Sequence, residues 1–124
     1  TTNGNTNLCP DGWHVPTDAE WTELVAFLGG EDIAGGKMKQ EGTEYWNSPN
    51  TGADNSSGFT ALPAGRRKGT GGFISLGDVA FFWSSSESAS GSSWFRYLGL
   101  GVSRVVRNND GQSAGYSVRC LRTK

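Results

Sequence analysis

The sequence predicts one α+β domain, in which one or two N-terminal helices pack on a small, twisted antiparallel sheet with long loops. A length of 124 residues suits a single domain with one modest core. Nineteen glycines and few long apolar runs indicate short strands joined by many turns rather than a helical bundle. Helical periodicity near the N-terminus and alternating patterns near the C-terminus supply the two element types.

The clearest predicted element is a helix that begins after Thr17. Thr17 and Glu20 have the spacing of a capping box, in which each side chain accepts a hydrogen bond from the backbone of the other residue. Apolar side chains then recur on one helix face, at Trp21, Leu24, Val25 and Leu28. The helix ends at Gly29–Gly30, and a second, shorter helix is predicted near Glu31–Ile33. From position 35 to 72, residues that favour turns dominate.

The predicted strands lie in the second half of the chain. The dense apolar run Val79–Trp83 predicts a buried strand, and Ser84–Glu87 predicts a turn whose side chains satisfy backbone groups. Two later strands, Val102–Val106 and Tyr116–Leu121, are predicted to pair with each other. The Asp-Gly step in Asn108–Gly111 indicates the hairpin that joins them.

The two cysteines, Cys9 and Cys120, lie near opposite ends of the chain. A disulfide between them would close a loop of nearly the whole domain, and such a loop adds roughly 4–5 kcal/mol of stability in the chain-entropy model. Two unpaired thiols in a cytosolic protein are the alternative. Cysteines so placed in a Gly- and Ser-rich chain fit an oxidising compartment better, so we predict the disulfide and an extracellular location.

The C-terminal third of the chain is predicted to carry a recognition surface. Side chains of a strand point alternately to its two faces, and Trp94 and Leu98 share one parity that suits a core. The opposite parity carries Phe95 and Tyr97 beside glycines, a composition suited to contact with a ligand. The alternative is that both faces are covered and these aromatics are ordinary core. The predicted ligand-binding residues are Ser92, Phe95, Tyr97, Gly99, Gly101, Arg104, Val106 and Asn108. Asn108–Gly111 is expected to be the mobile tip of that surface.

Composition and charge argue against several classes of partner. The formal net charge is −1 and the arginines are spread along the chain, so we expect no nucleic-acid binding. The sequence has no apolar run of about 18 residues, so we expect no membrane insertion. The polar stretch Thr1–Asn7 is predicted to be a linker that precedes a domain over 8–124. Because the chain begins with Thr1 and has no signal-like segment, we expect a mature fragment or an excised domain.

The motifs of catalysis and metal binding are weak, and we expect no enzymatic activity. The single histidine, His14, lies between Trp13 and Val15, where a packed structural role is the better interpretation. No Gly-x-Ser-x-Gly elbow is present, and one histidine with two distant cysteines does not make a zinc site. No cofactor is expected. The oxygen-rich pairs Asp54–Asn55 and Asn109–Asp110 are the candidate positions for a structural calcium ion.

Four separated motifs carry a family resemblance. They are Cys9–Thr17 with Glu20–Trp21, Gly58–Arg67, Phe82–Glu87 and Gly115–Leu121. In this order and spacing the chain resembles the Fibrobacter succinogenes major paralogous domain, a module of bacterial surface proteins and lipoproteins, over 8–122. That family is similar to the C-type-lectin fold, in the branch that contains the formylglycine-generating enzymes. The resemblance therefore implies a C-type-lectin-like domain.

The same branch includes the variable proteins of diversity-generating retroelements, whose C-terminal segment is diversified. The resemblance therefore implies a non-catalytic recognition module on a bacterial surface or a phage particle, with the predicted ligand-binding residues in the corresponding segment. Pairing of Cys9 with Cys120 leaves no thiol for formylglycine chemistry, and the calcium motifs of sugar-binding C-type lectins are absent from the sequence. An unknown protein or glycan is the expected partner. A carbohydrate-binding module and a structural spacer of a surface lipoprotein are the alternative functions.

Overall fold

The computed structural model describes residues 8–124, so the predicted linker Thr1–Asn7 lies outside the described residues. The helices are α1 (Asp18–Phe27) and α2 (Glu31–Met38). The strands are β1 (Trp13–His14), β2 (Arg66–Arg67), β3 (Phe73–Ile74), β4 (Val79–Ala89), β5 (Ser92–Gly99), β6 (Val105–Gly111) and β7 (Leu121–Arg122). Two helices combined with antiparallel sheets make this an α+β domain, as the sequence predicts.

Helix α1 begins where the sequence predicts. The Thr17 hydroxyl accepts a hydrogen bond from the Glu20 N–H at 3.1 Å, and the Glu20 carboxylate accepts one from the Thr17 N–H at 2.9 Å. These two bonds confirm the capping box. They satisfy two backbone N–H groups at the start of the helix that have no carbonyl partner within it. The helix buries Trp21 and Val25 and passes into its C-cap at Leu28.

Helix α2 extends well beyond the predicted short helix at Glu31–Ile33, and it continues through two consecutive glycines. A β-carbon at Gly35 would overlap the carbonyl group of Arg104, and one at Gly36 would overlap that of Gly52. The glycines therefore let the helix lie directly against neighbouring backbone. Glycine in a helix interior costs roughly 1 kcal/mol relative to alanine. Propensity alone thus favours the turns that we predicted here, and packing reverses that preference.

A three-stranded antiparallel sheet forms the centre of the domain, in the order β4–β5–β6. β4 contains the predicted buried strand Val79–Trp83 and continues beyond it. The predicted turn at Ser84–Glu87 is wrong, because these residues belong to β4 at a point where its register with β5 shifts. A hydroxyl group of this run still satisfies a backbone group, because the Ser84 hydroxyl donates to the Trp94 carbonyl at 2.8 Å. The polar run therefore builds a bulged strand.

The predicted hairpin at Asn108–Gly111 is also wrong, and so is its role as a mobile tip. These residues lie within β6 and pair with the first half of β5. The predicted partner strand Tyr116–Leu121 lies instead along β4, where Ser117 forms a bridge with Phe82. An Asp-Gly step is a local signal, and a complete partner strand in β5 outweighs it.

The two ends of the described chain are joined twice. A disulfide links Cys9 to Cys120, as predicted, across a sequence separation of 111 residues. Strand β1 pairs antiparallel with β7, with Trp13 opposite Arg122. The covalent bond and the strand pair therefore hold the N-terminal and C-terminal ends of the described residues against each other.

The central sheet has an apolar cluster on each face. The larger cluster joins the sheet to the helices and contains Trp21, Val25, Leu28, Ala34, Met38, Trp46, Ala61, Ala80, Phe82, Leu98 and Val105. The smaller cluster contains Trp83, Phe95 and Ala114, with Phe81, Tyr97, Tyr116 and Val118 packed against it. Within 8–124, neither helix has the length and apolar character needed to cross a bilayer.

Candidate recognition surface

The side chains of β5 alternate between the two faces of the sheet, as the sequence predicts. Leu98 belongs to the larger cluster and is 1% exposed, which confirms its predicted place in the core. Phe95 and Tyr97 belong to the opposite face and to the smaller cluster. The assignment of these side chains to opposite faces of the sheet was therefore correct, but both faces carry packed side chains.

Phe95 is buried, so its predicted exposure on a recognition surface is wrong. Only 6% of the residue is accessible to solvent. The Tyr116 ring stacks on Trp83 with 4.3 Å between ring centroids and meets Phe95 edge-on at 4.7 Å. The segment after β6 thus covers this part of the sheet, and alternation along β5 carries no information about such a cover. The Phe95 side chain is part of the core.

The cover is fixed by a polar contact at Tyr116. Its hydroxyl donates to the carboxylate of Asp110 in β6 at 2.5 Å, and the Arg66 guanidinium lies 3.8 Å from the same oxygen. Burial of the phenol, together with that hydrogen bond, raises the pKa of Tyr116 well above its usual range. Tyr116 is therefore a neutral donor that holds the C-terminal segment on the sheet.

Beyond this cover, part of the same sheet face stays accessible. Tyr97 packs on Phe81 and Phe95, with centroid distances of 5.8 and 6.2 Å, and remains partly exposed. Val106 lies directly opposite Tyr97 in the β5–β6 register and is also partly exposed. Asn108, two positions along β6 on the same face, is exposed. We call this region the open sheet face and define it by Tyr97, Gly99, Val106 and Asn108.

The remaining predicted ligand-binding residues lie elsewhere. Ser92 is at the other end of β5, about 17 Å along the strand from Tyr97. Gly101 and Arg104 are exposed in the loop between β5 and β6, beyond the end of the open sheet face. The structure therefore brings together only the residues near the β5–β6 pair of Tyr97 and Val106.

A buried lysine that sequence analysis missed fixes the loop between β5 and β6. Lys39 is fully buried, and its ammonium group donates to the carbonyl oxygens of Thr51, Gly99 and Val102 at 2.8–2.9 Å. Burial lowers the pKa of Lys39 to about 8. No sequence signal separates this lysine from a solvated one at a helix end. Its three hydrogen bonds hold the Gly99 end of the open sheet face in place.

On the opposite face, Trp94 of the central strand β5 lies outside the predicted core. It is partly exposed and belongs to neither apolar cluster. The guanidinium carbon of Arg107 lies 3.5 Å from its ring centroid, so a cation covers the indole. The prediction that Trp94 is core is wrong, because the side chain that covers it is charged.

A network of charged groups continues from this stack to helix α1. Arg96 donates to Asp18 at 2.6 Å and Arg107 donates to the same carboxylate at 2.8 Å. Burial opposes ionisation of Asp18, but the hydrogen bonds from Arg107 and Arg96 outweigh it and hold its pKa below the ordinary value. A groove of about 560 Å³ runs beside the network and is lined partly by Thr22 and Glu31. The two arginines in it are paired with Asp18, so neither is an unpaired cation that waits for a ligand.

The histidine and the candidate calcium positions have structural contacts. The His14 ring nitrogens lie 2.8 Å from the Thr123 hydroxyl and 2.9 Å from the Glu20 carboxylate. Asp54 accepts a hydrogen bond from the backbone of a turn, and Asn109–Asp110 lie in β6 rather than in the predicted loop. Among residues 8–124, no three His, Cys, Asp or Glu side chains are grouped closely enough to hold a metal ion.

A family model describes almost the whole chain. The model of the Fibrobacter succinogenes major domain matches residues 1–122. The chain is a Fibrobacter succinogenes major domain. No curated protein and no solved structure matches it.

In this Fibrobacter succinogenes major domain, the motifs that carry the resemblance build the framework. The run Cys9–Thr17 provides one half of the disulfide, strand β1 and the cap of helix α1. Phe82–Glu87 lies in β4, and Gly115–Leu121 covers the aromatic cluster and closes the disulfide. The open sheet face lies between these motifs in the sequence. Tyr97 and Val106 thus belong to neither framework segment.

Proposed function

We propose that this domain is a non-catalytic module that recognises a ligand or receptor, on a bacterial surface or a phage particle, through the open sheet face. The observation that carries the proposal is the pairing of Tyr97 with Val106. They lie opposite each other on neighbouring strands, Tyr97 packs against the smaller aromatic cluster, and both keep part of their surface accessible. Apolar groups that are accessible yet held in position are what a binding surface requires.

The contacts that fix this face reduce the loss of conformational entropy on binding. Phe95 and Phe81 pack against the Tyr97 ring on the same face of the sheet. Lys39 holds the backbone of Gly99, and Tyr116 is tied to β6 through Asp110. Side chains fixed in this way lose little conformational freedom when a partner binds.

We also propose a C-type-lectin-like architecture, and diversification of the open sheet face by a retroelement. Ends joined by the Cys9–Cys120 disulfide, together with helices packed on an antiparallel sheet, support the first of these. The second is supported by position: replacing Tyr97 or Val106 changes accessible atoms and leaves the larger core intact. Sibling sequences should then differ mainly at the open sheet face and retain Phe95, with a reverse transcriptase gene nearby.

An extracellular location follows from the same proposal. The disulfide between Cys9 and Cys120 supports it, because such bonds persist in oxidising compartments and are rare in the cytosol.

The test is binding by a tetramerised form of the domain to arrays of purified surface proteins and of glycans. We expect binding to a protein, and its loss when Tyr97→Ser, Val106→Thr and Asn108→Ala are combined. The matched control is Phe27→Ser, which removes an exposed aromatic from helix α1, away from the sheet. Thermal melts of both variants confirm that each is folded.

The outcomes separate the candidate functions. Loss of protein binding in the triple variant, with binding retained by the control, supports the proposal. Binding to glycans alone would favour a carbohydrate-binding module, and the same binding by wild type and triple variant would remove the open sheet face from consideration. Binding to neither array would favour a structural spacer.

A further inference from the structure

A second surface, formed by strand β3 and the long loops before β4, exposes large apolar side chains. Phe73 and Leu76 are 81% and 79% accessible, and Tyr45 and Leu62 are 55% and 46% accessible. Tyr45, Leu62 and Leu76 line one cavity of about 310 Å³. Phe73 lines a neighbouring cavity, and Ala64 lines both. We call this surface the loop groove and define it by Tyr45, Leu62, Phe73 and Leu76. Adjacent exposed apolar side chains of this size mark interaction sites.

The backbone around the groove holds Leu76 in its exposed position. Ser75 has a φ of 67°, in the left-handed region that a non-glycine residue rarely adopts. The N–H of Gly77 donates to the Pro63 carbonyl at 2.9 Å, and its carbonyl accepts from the Asn47 N–H at 2.8 Å. The turn that carries Leu76 is therefore tied to the segments that contain Pro63 and Asn47. Its outward direction is built into the fold.

The loop groove has basic residues beside it. The sequence from 61 to 77 contains Arg66, Arg67 and Lys68 and no acidic residue, in a chain whose net charge is −1. Arg67 lies opposite Phe73 in the β2–β3 register, and both Arg67 and Lys68 are exposed. Arg66 is the exception, because Asp110 lies 3.8 Å from it. Arg67 and Lys68 thus lie close to the exposed Phe73, in a stretch of sequence that contains no carboxylate.

We propose that the loop groove binds an acidic segment of a partner protein. A bulky apolar side chain of that segment enters between Tyr45, Leu62 and Leu76, and its carboxylates meet Arg67 and Lys68. Apolar anchors give the contact its affinity, and the complementary charges select the partner and its register. The loop groove shares no residue with the open sheet face, so this inference does not rest on the function proposed above.

An anionic lipid surface fits the same groove less well. Peripheral membrane binding uses apolar side chains that project into the bilayer together with a positive face. Here Tyr45, Leu62 and Leu76 surround a concavity, which accepts a projecting side chain from a partner. Glu44 also lines that concavity, and its carboxylate would be pressed against lipid phosphates. A peptide can place its carboxylates away from Glu44 and toward Arg67, whereas a lipid surface cannot.

The test is a selection from a phage-displayed library of random linear peptides against the immobilised domain. We expect enriched peptides that combine acidic residues with Leu, Phe or Trp. Synthetic versions should bind at least about tenfold more weakly to the double variant Leu62→Ser/Leu76→Ser. The charge reversal Arg67→Glu/Lys68→Glu should weaken them similarly, and added salt should weaken their binding to the wild type. All four positions are exposed, so both variants should melt like the wild type.

Two controls make the outcome specific. Phe27→Ser removes an equally exposed apolar group elsewhere, and Tyr97→Ser alters the open sheet face; both should bind the enriched peptides as the wild type does. Failure to enrich acidic peptides, or equal binding by the Leu62→Ser/Leu76→Ser variant, overturns the proposal. The proposal is also overturned if the domain binds phosphatidylserine vesicles in place of peptides and Leu76→Ser abolishes that binding. It is likewise overturned if sedimentation shows a dimer that Leu76→Ser disrupts. Loss of peptide binding in Tyr97→Ser alone would move the peptide site to the open sheet face.

Discussion

The Arg107 guanidinium lies between the Trp94 ring and the Asp18 carboxylate. Its carbon is 3.5 Å from the ring centroid, and one of its nitrogens is 2.8 Å from a carboxylate oxygen. One side chain thus ties β6 to β5 and to the first turn of α1. Arg96, which is almost fully buried, donates to the other oxygen of Asp18 at 2.6 Å. A single carboxylate therefore compensates a buried cation and an exposed one.

Asp18→Asn should lower the free energy of unfolding by about 3–5 kcal/mol, because it leaves the buried Arg96 without its counter-charge. The comparison is Arg107→Gln, which removes the exposed partner and should cost about 1 kcal/mol. Urea denaturation of both variants measures the difference. Equal costs would show that burial of Arg96 does not set the energy of this network.

Stability should fall as the pH drops below about 4. The pKa values of Asp18 and Glu20 in the folded protein lie below their ordinary values of 3.8 and 4.5. The unfolded chain therefore binds protons at a higher pH than the folded one does. The stabilisation by these groups is complete above their ordinary pKa values and is lost as the pH falls through the folded ones. Urea midpoints across this range measure the effect, and Asp18→Asn should show a shallower decline than the wild type.

Lys39→Met should destabilise the domain by about 3 kcal/mol or more, because three buried carbonyl groups lose their donor. The matched control, Lys68→Met, changes an exposed lysine and should stay within about 0.5 kcal/mol of the wild type. Hydrogen exchange should also become faster in the loop between β5 and β6. Unchanged exchange there would contradict the assigned role of Lys39.

Reduction of the Cys9–Cys120 disulfide should lower the free energy of unfolding by about 4–5 kcal/mol, given the 111-residue separation of the cysteines. Urea titrations with and without a phosphine reductant measure this. The double variant Cys9→Ser/Cys120→Ser should match the reduced wild type and show no response to reductant. Two thiols labelled in unreduced protein from an oxidising host would refute the bond.

Phe95→Ala should cost about 3–5 kcal/mol, since it opens a cavity under the Tyr116 ring. Val106→Thr, on the accessible part of the same face, should cost less than about 1 kcal/mol. Denaturant melts of the two variants locate the boundary between core and open sheet face. Similar large losses in both would show that Val106 belongs to the core as well.

Sequence predicted best those features that depend on neighbouring residues or on covalent chemistry. The capping box at Thr17 needs only two residues three positions apart, and the disulfide was predicted from the placement of Cys9 and Cys120 near opposite ends of the chain. The fold class followed from the same local patterns. The capping box involves only neighbouring residues, so local reasoning is sufficient for it. The disulfide joins distant residues, but its two partners are the two cysteines of the chain.

What sequence missed depends on contacts between distant segments. Tyr116 comes from beyond β6 to cover Phe95, and nothing in the alternation along β5 indicates that cover. The glycines of α2 read as turn formers until the backbone that packs against them is known. Lys39 is a surface residue by type, and only the convergence of three carbonyl groups explains its burial. The open sheet face is accordingly smaller than the predicted ligand-binding set.

The joined ends also determine how the domain responds to mechanical tension. A pulling force applied at Leu8 and Arg122 first reaches the two-residue pairing of β1 with β7, because β7 lies just outside the disulfide loop. Once the two strands separate, the force passes from Cys9 to Cys120 through the disulfide bond. Both helices and the whole central sheet lie inside the loop and bear none of it. Stretched between two attachment points, the domain would therefore extend only slightly and would keep its open sheet face and loop groove folded.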